Sequence, residues 1–299
     1  MKPTLVIMAA GMASRYGSMK QIQQFGPGGE TIMDYSIYDA IKAGFGKVVF
    51  IIRKDFAEDF KAIFEPKLKG KIDTEYVYQE LDAFVGATPV PADRKKPWGT
   101  AHAILCAHEA VQGPFAVINA DDFYGEDAFA KANDFLVMEC RADLYGIVAY
   151  NLNNTLSEHG SVSRGVIEIG DEDQLAGINE RVKIFRDNGQ IVYEETDGSK
   201  IPVAEDAKSS MNFWCFHPSV FPYIRQEFAA FLGRSLNDPK AEFLIPFVAD
   251  QFIKSERGQI KVIPTTAPWF GVTYKEDAPI VQKNLNKLIE EKTYPNKLW

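Results

Sequence analysis

Cysteine is scarce in this chain: among 299 residues there are three, Cys106, Cys140 and Cys215, odd in number and far apart. That excludes a disulfide framework and the paired spacing of a zinc site. Histidine is equally sparse, and His102, His108, His159 and His217 stand at no metal-ligand spacing. No Ser/His/Asp or Cys/His order stands out, so covalent catalysis finds no support. No apolar run approaches the length of a membrane span. The N-terminus enters an apolar segment directly, without the cationic region and cleavage site of a secretory signal. Repeats, low-complexity tracts and Ser/Gly/Pro-rich spacers are missing too. A net charge of −8 leaves no cationic excess for nonspecific nucleic-acid binding. These absences predict a protein of the reducing cytoplasm that engages neither membrane nor nucleic acid, and they leave homo-oligomerisation open.

What is present is a hydrophobic content of 46%, enough for a sizeable core. With no linker in the chain, one domain over residues 1–299 is the simplest organisation. The pattern of its first half alternates strand and helix. Leu5 to Met8 reads as a buried strand; Ile32, Met33, Ile37 and Ile41 recur at helical spacing; Gly44 is a stop; Lys47 to Ile52 is again a strand. Asp55 is placed to cap a second helix with Phe56, Phe60, Ile63 and Phe64 inward, and Ile72 to Gln79 alternates as a third strand. A helix over Ala101 to Val111 and a strand over Pro114 to Ile118 follow. Beyond Tyr150 the pattern turns to strands: Val162 to Ile169, Gln174 to Ile178, and two around Asp187-Asn188-Gly189. Ser210 to Phe216 reads as a strand returning to the core, Pro218 opens a helix, and Asp277 and Pro279 start a last amphipathic helix with Val281, Leu285 and Leu288 inward. The predicted class is α/β, with a mostly parallel central sheet and a β-rich lobe.

The first strand breaks into Ala9-Ala10-Gly11-Met12-Ala13-Ser14-Arg15, with Lys20 shortly after. Small residues let backbone N–H groups approach a ligand, and two cations supply the charge polyphosphate requires, so the loop reads as a phosphate cradle. It is not a Walker A loop, because Tyr16 stands where the second glycine belongs, nor a dinucleotide fingerprint, which needs glycine at Ala13 and Tyr16. The strand ending at Ile118 delivers Asn119-Ala120-Asp121-Asp122. Adjacent carboxylates at a strand end form a hard-cation site, and Mg²⁺ favours one or two carboxylates with phosphate oxygens and water. Helix capping is the alternative for either Asp, and for Asp122 the better one. Gln79, at the end of the third strand, carries both a donor and an acceptor.

Gly11-Met12-Ala13-Ser14-Arg15 followed by Lys20 closely resembles the Gly-x-x-Ser/Thr-Arg-(x)n-Lys signature of the sugar-1-phosphate nucleotidylyltransferases. The resemblance implies a Rossmann-like, GT-A-type nucleotide-diphospho-sugar transferase fold, with residues 1–150 holding the nucleotide and 151–299 the sugar phosphate. It implies Arg15, Lys20 and Asp121 as catalytic residues, and Ala9, Ala10, Gly11, Ser14, Gln79, Gly99 and Thr100 as the nucleotide site. Ala120-Asp121-Asp122 is in register with the family's Gly-Asp-Asn segment, which puts Mg²⁺ on Asp121. Ser163 to Glu168 is similar to its Tyr-Gly-Val-Val-Glu segment and Asn179-Glu180-Arg181 to its Glu-Glu-Lys segment, assigning Gly165 and Glu180 to sugar hydroxyls and Arg181 to the sugar phosphate. Phe247 stands where a second metal carboxylate is usual, leaving Glu242, or Asp250, as that ligand. Trp214 reads as core or as a sugar-stacking ring, and Trp269 to Thr273 matches the closing Trp-x-Asp-x-Gly-Thr only loosely. The implied reaction takes an NTP, UTP or dTTP before CTP, and a sugar 1-phosphate. A glycosyltransferase using a finished nucleotide sugar, or a catalytically silent binding subunit, are the alternatives.

Overall fold

The computed structural model describes residues 1–11, 23–86, 89–157, 160–271 and 277–299. Strand and helix alternate through β1 (Thr4–Met8), α1 (Ile32–Ala43), β2 (Lys47–Ile52), α2 (Ala57–Leu68), β3 (Asp73–Tyr78), α3 (Thr100–Cys106) and β4 (Phe115–Asn119). β2 pairs parallel with β1, β3 with β2, and β4 with the opposite edge of β1. The chain thus moves outward from β1 to β3 and then crosses back to β4. That reversal makes the carboxyl ends of β1 and β4 the switch point at which open α/β sheets bind ligands.

The apolar runs of β1 and β2 are buried on both faces because helices cover both. Leu5, Ile7, Val48 and Phe50 pack with Phe60 and Phe64 of α2, while Val6, Val49 and Val117 pack with Ile104 of α3 on the other side. α1 begins where Thr31 and Asp34 cap each other reciprocally and ends at Gly44, with φ +105°, as its spacing predicts. Asp55 does not cap α2. Arg53 holds both of its carboxylate oxygens, at 3.0 and 2.5 Å, and a 3-10 turn over Lys54–Phe56 leads into the helix instead. The helix expected to reach Val111 ends at Cys106, with turns beyond it.

The second half comprises β5 (Asp122–Phe123), α4 (Glu126–Met138), β6 (Leu144–Asn151), β7 (Val162–Ile169), β8 (Leu175–Asp187), β9 (Gln190–Glu194) and β10 (Lys200–Pro202). β11 (Lys208–Phe216), α5 (Val220–Ser235), α6 (Ile245–Lys254), β12 (Gln259–Thr265), β13 (Phe270–Gly271) and α7 (Ala278–Glu290) complete it. β11 joins the halves. Its last residues, Trp214–Phe216, run antiparallel to β4, and its first, Lys208–Ser210, run antiparallel to β7. β6 lies along its other side and pairs parallel with β12, while β7 to β10 form an antiparallel meander. Between Ser210 and Trp214 the register shifts, and Asn212 takes φ +63°. The sheet therefore splits there, between β4 and β7. β5 and β13 form a separate short ladder. Among the described residues no helix is long and apolar enough to cross a membrane.

α7 buries Val281 and Leu285 against Ile32, Tyr35, Phe123 and Phe270, and the residues after it dock on α1. Tyr294 donates its hydroxyl to Asp39 Oδ2 at 2.6 Å, and Trp299 Nε1 donates to Asp34 Oδ1 at 2.8 Å. Asp39 is fully buried, its Oδ1 has no partner, and burial raises its carboxyl to about 7. A carboxyl raised above its unfolded value costs stability as pH climbs from about 4 to about 7, because the folded state resists losing the proton. Asp39→Asn keeps an acceptor for Tyr294 without the charge. Urea unfolding should find it more stable than wild type by about 1–3 kcal/mol at pH 8, with the advantage gone near pH 4.

Candidate active site

Gly11, Gln79 and the pair Asp121-Asp122 follow the carboxyl ends of β1, β3 and β4, along one edge of the parallel strands. Ala9 and Ala10 are buried, and the Ala9 N–H donates to the Ile51 carbonyl at 2.8 Å. Ala9 therefore extends the sheet rather than the cradle. Gly11 is exposed, and a Cβ built there would meet none of the described residues within 4 Å. Ser14, Arg15 and Lys20 lie outside the described residues.

Gln79 and Gly99 are in direct contact. Gln79 Nε2 donates to the Gly99 carbonyl at 3.1 Å and lies 3.2 Å from His102 Nδ1, so the amide donor expected to face a base is engaged within the protein. Gly99 has φ +114°, and a Cβ there would sit 2.5 Å from the Phe243 carbonyl oxygen. Thr100 Oγ1 accepts the Ile245 N–H at 3.1 Å, tying α3 to the start of α6. His102, which has no metal-ligand spacing, belongs to this cluster; its place three residues after Gly99 was the only sign of it in the sequence.

Asp122 ends a directed chain of hydrogen bonds. Trp214 Nε1 donates to Asn212 Oδ1 at 2.9 Å, Asn212 Nδ2 to Asn119 Oδ1 at 2.8 Å, and Asn119 Nδ2 to Asp122 Oδ2 at 2.8 Å. An indole can only donate, which fixes the direction of every amide along the chain. Trp214 is thus a buried anchor, stacked on Phe216, and not a sugar platform. Burial raises Asp122 to about 7, and the charge of Asp121 adds to the rise. A Cβ on Gly271 would come 2.4 Å from Asp122 Oδ1, so the close pairing of β5 and β13 requires glycine at that position.

Two adjacent carboxylates, one of them desolvated, suit a cation that brings phosphate oxygens and water as its other ligands. Among the described residues no three His, Cys, Asp or Glu side chains group closely enough to hold a metal by themselves. The residues therefore fit Mg²⁺ arriving with a polyphosphate, and not a cage of protein ligands. Glu242 is engaged elsewhere, by Lys96 Nζ at 2.8 Å, and Asp250 by Lys254 Nζ at 2.9 Å. Neither is grouped with Asp121 in a metal cluster.

In the β-rich lobe Gly165 pairs with Glu180, and Arg164 with Arg181. A Cβ on Gly165 would strike Ile178 Cγ2 at 2.7 Å, with Glu180 Oε2 3.7 Å away, so the glycine and the carboxylate share one face. Successive strand side chains point to opposite faces, and the Arg181 guanidinium lies 4.6 Å from the Tyr193 ring. Arg181 is not brought beside Glu180. Arg164, to which no role was assigned, donates to the Thr155 carbonyl at 2.6 Å and lies 4.9 Å from the Trp269 ring. Its Nε is buried without a partner, burial pulls its pKa below the ordinary arginine value, and Asp122 and Glu180 both act on it electrostatically.

A family model described as nucleotidyl transferase matches residues 4–188. Among solved structures the chain is similar to the inositol-1-phosphate CTP transferase from T. maritima, with TM-score 0.63, 13% identity and 97% of each chain covered. It is also similar to UDP-glucose pyrophosphorylase complexed with UDP-glucose, with TM-score 0.60 and 15% identity, covering 96% of this chain and 99% of that one. No curated protein matches by sequence. At such identities the likeness is one of fold, and it bears out the α/β class with a large central sheet, which is mixed rather than mostly parallel: β4, β1, β2 and β3 run parallel at one end and β7 to β11 antiparallel beyond them.

Proposed function

We propose, from the premise that the chain belongs to the nucleotidyl transferase family, that it transfers a nucleotidyl group from UTP or dTTP to a sugar 1-phosphate. The products are a nucleotide sugar and pyrophosphate. The observation that carries this reading is that Gly11, Gln79 and the Asp121-Asp122 pair all follow the carboxyl ends of parallel strands of one sheet. Small backbone, base-edge amide and carboxylates are what a nucleoside triphosphate with its cation requires.

The acceptor phosphate oxygen is already a nucleophile at neutral pH, so in-line attack on the α-phosphorus needs positioning and charge rather than a general base. The new bond joins that oxygen to the α-phosphorus as the bond to the β-phosphate bridging oxygen breaks. Asp121 would hold Mg²⁺, which would supply charge stabilisation to the phosphates. Arg15 neutralises the departing pyrophosphate, and Lys20 spans α-phosphate and acceptor. Gly165 and Glu180 hold sugar hydroxyls. Arg164, on which Asp122 and Glu180 both act, holds the sugar phosphate in place of Arg181, which lies against Tyr193.

These roles differ kinetically. Arg15→Ala should lower kcat, because its charge matters most as pyrophosphate leaves, whereas Arg164→Ala should chiefly raise KM for the sugar phosphate. Each loss of a charge-assisted contact corresponds to about 1.5–3 kcal/mol, or roughly one to two decades, in steady-state kinetics with each substrate varied in turn. Because Arg181 lies against Tyr193, an Arg181→Ala enzyme should keep much of its sugar-phosphate dependence if Arg164 carries that role.

Pyrophosphate release, followed with each NTP against a panel of sugar 1-phosphates, tests the reading itself. A transferase of this kind releases pyrophosphate only with both substrates present. A glycosyltransferase would instead consume a finished nucleotide sugar, and a silent subunit would turn over neither.

A further inference from the structure

His102 is fully buried on α3, and its Nε2 lies 2.9 Å from the Ala83 carbonyl oxygen. A carbonyl only accepts, so Nε2 carries the ring proton. Burial depresses the imidazole to about 4, helped by the Arg94 charge, so the ring is neutral at physiological pH and its Nδ1 is an acceptor. The Gln79 atom 3.2 Å from Nδ1 must then be the amide nitrogen, which also donates to the Gly99 carbonyl at 3.1 Å. Both amide protons of Gln79 are thereby committed. Its Oε1 makes no hydrogen bond with the described residues and is not among their buried, unpartnered atoms.

We propose that His102 is a positioning residue that locks the Gln79 amide so that only its Oε1 acceptor is offered to the donor base, selecting bases with an N–H at ring position 3 over cytosine. The inference rests on the nucleotide site proposed above and supplies what that site lacks, a physical reason for choosing among pyrimidines. Uracil and thymine present N3–H to Oε1. Cytosine in the same pose presents a lone pair, setting two acceptors against each other. A glutamine free to turn its amide about the last torsion would serve either base. With Nδ1 accepting on one side and the Gly99 carbonyl on the other, turning it would set oxygen against acceptor twice.

Calorimetric binding of UTP and CTP without sugar phosphate tests this independently of turnover. The wild-type protein should bind UTP at least about tenfold more tightly than CTP, the scale of one buried acceptor left unpaired. His102→Phe keeps the ring volume but removes Nδ1, and should shrink that ratio to about threefold or less. His102→Asn, which can return an acceptor, should restore part of it. A purely structural role for His102 would weaken both nucleotides together and leave the ratio unchanged, and that result overturns the inference. So does equal binding of UTP and CTP by the wild-type protein. Should His102→Phe not fold, nitrogen-15 NMR of histidine-labelled wild-type protein decides. His102 should show the Nε2–H tautomer and stay neutral from pH 8 to about 5; an Nδ1–H tautomer, or titration near the ordinary histidine value, overturns the proposal. A protein that binds no nucleoside triphosphate overturns the proposed function and this inference with it, whereas binding without discrimination overturns this inference alone.

Discussion

Asp121→Ala should abolish pyrophosphate release, lowering kcat by about a thousandfold or more, yet leave the cooperative unfolding transition in place. A metal-bound phosphate contributes several kcal/mol to transition-state stabilisation, and about 4 kcal/mol corresponds to three decades in rate. The turn after β4 keeps bonds of its own through Asn119, Asp122 and Tyr124, which the substitution leaves in place. Asn119 Nδ2 reaches Asp122 Oδ2 at 2.8 Å, the Asn119 N–H donates to the Tyr124 hydroxyl at 3.1 Å, and that hydroxyl lies 2.9 Å from the Met211 carbonyl. Chelating Mg²⁺ from the wild-type protein should reproduce the defect. Near-normal pyrophosphate release from Asp121→Ala, measured with both substrates saturating, would move the cation to another carboxylate, with Asp122 the first to replace.

Gly99→Ala should lower stability by about 3 kcal/mol and weaken nucleotide binding with it. Two costs add at this position. The backbone holds φ +114°, which residues with a Cβ rarely adopt, and the Cβ would sit 2.5 Å from the Phe243 oxygen and 2.9 Å from its carbon and nitrogen. Phe243 cannot retreat cheaply. Its N–H donates to the Trp98 carbonyl at 2.5 Å, and its carbonyl accepts the Ala101 N–H at 3.1 Å. Gly11→Ala is the matched control, because a Cβ there meets none of the described residues within 4 Å. Thermal denaturation of the two variants side by side should show a clear loss for Gly99→Ala and almost none for Gly11→Ala. Equal losses would mean that Gly99 is not held against Phe243.

What the sequence disclosed depended on how local the signal was. α1 was legible because its apolar spacing and terminal glycine lie close together, from Ile32 to Gly44, whereas the reciprocal cap of Thr31 and Asp34 emerges only in the structure. The strand ends carrying Gly11, Gln79 and Asp121 were equally clear, since each apolar run stops where polar chemistry begins. The place of β11 was not. Nothing within Lys208–Phe216 says that it runs antiparallel between β4 and β6, or that a register shift turns Asn212 toward Asn119, 93 positions away. Side-chain commitments were hidden for the same reason. Glu242 is drawn to Lys96, Arg181 to Tyr193, and Asp55 to Arg53, all partners that periodicity cannot identify. His102 failed a metal-spacing test that was the wrong question, because its partners are an amide and a carbonyl. Arg164 occupies the β7 position beside Gly165 and gains meaning only when the sheet split brings it under the influence of Asp122 and Glu180.

The most direct test of nucleotidyl transfer to a sugar 1-phosphate is the identity of the phosphorus species formed. Phosphorus-31 NMR of the protein with Mg²⁺, UTP and an accepted sugar 1-phosphate should show the acceptor's monoester resonance disappearing. A pair of coupled diphosphate-diester resonances and an equal amount of pyrophosphate should appear in its place. A sugar 1-phosphate left intact across the panel, with UTP either untouched or hydrolysed, would contradict the account.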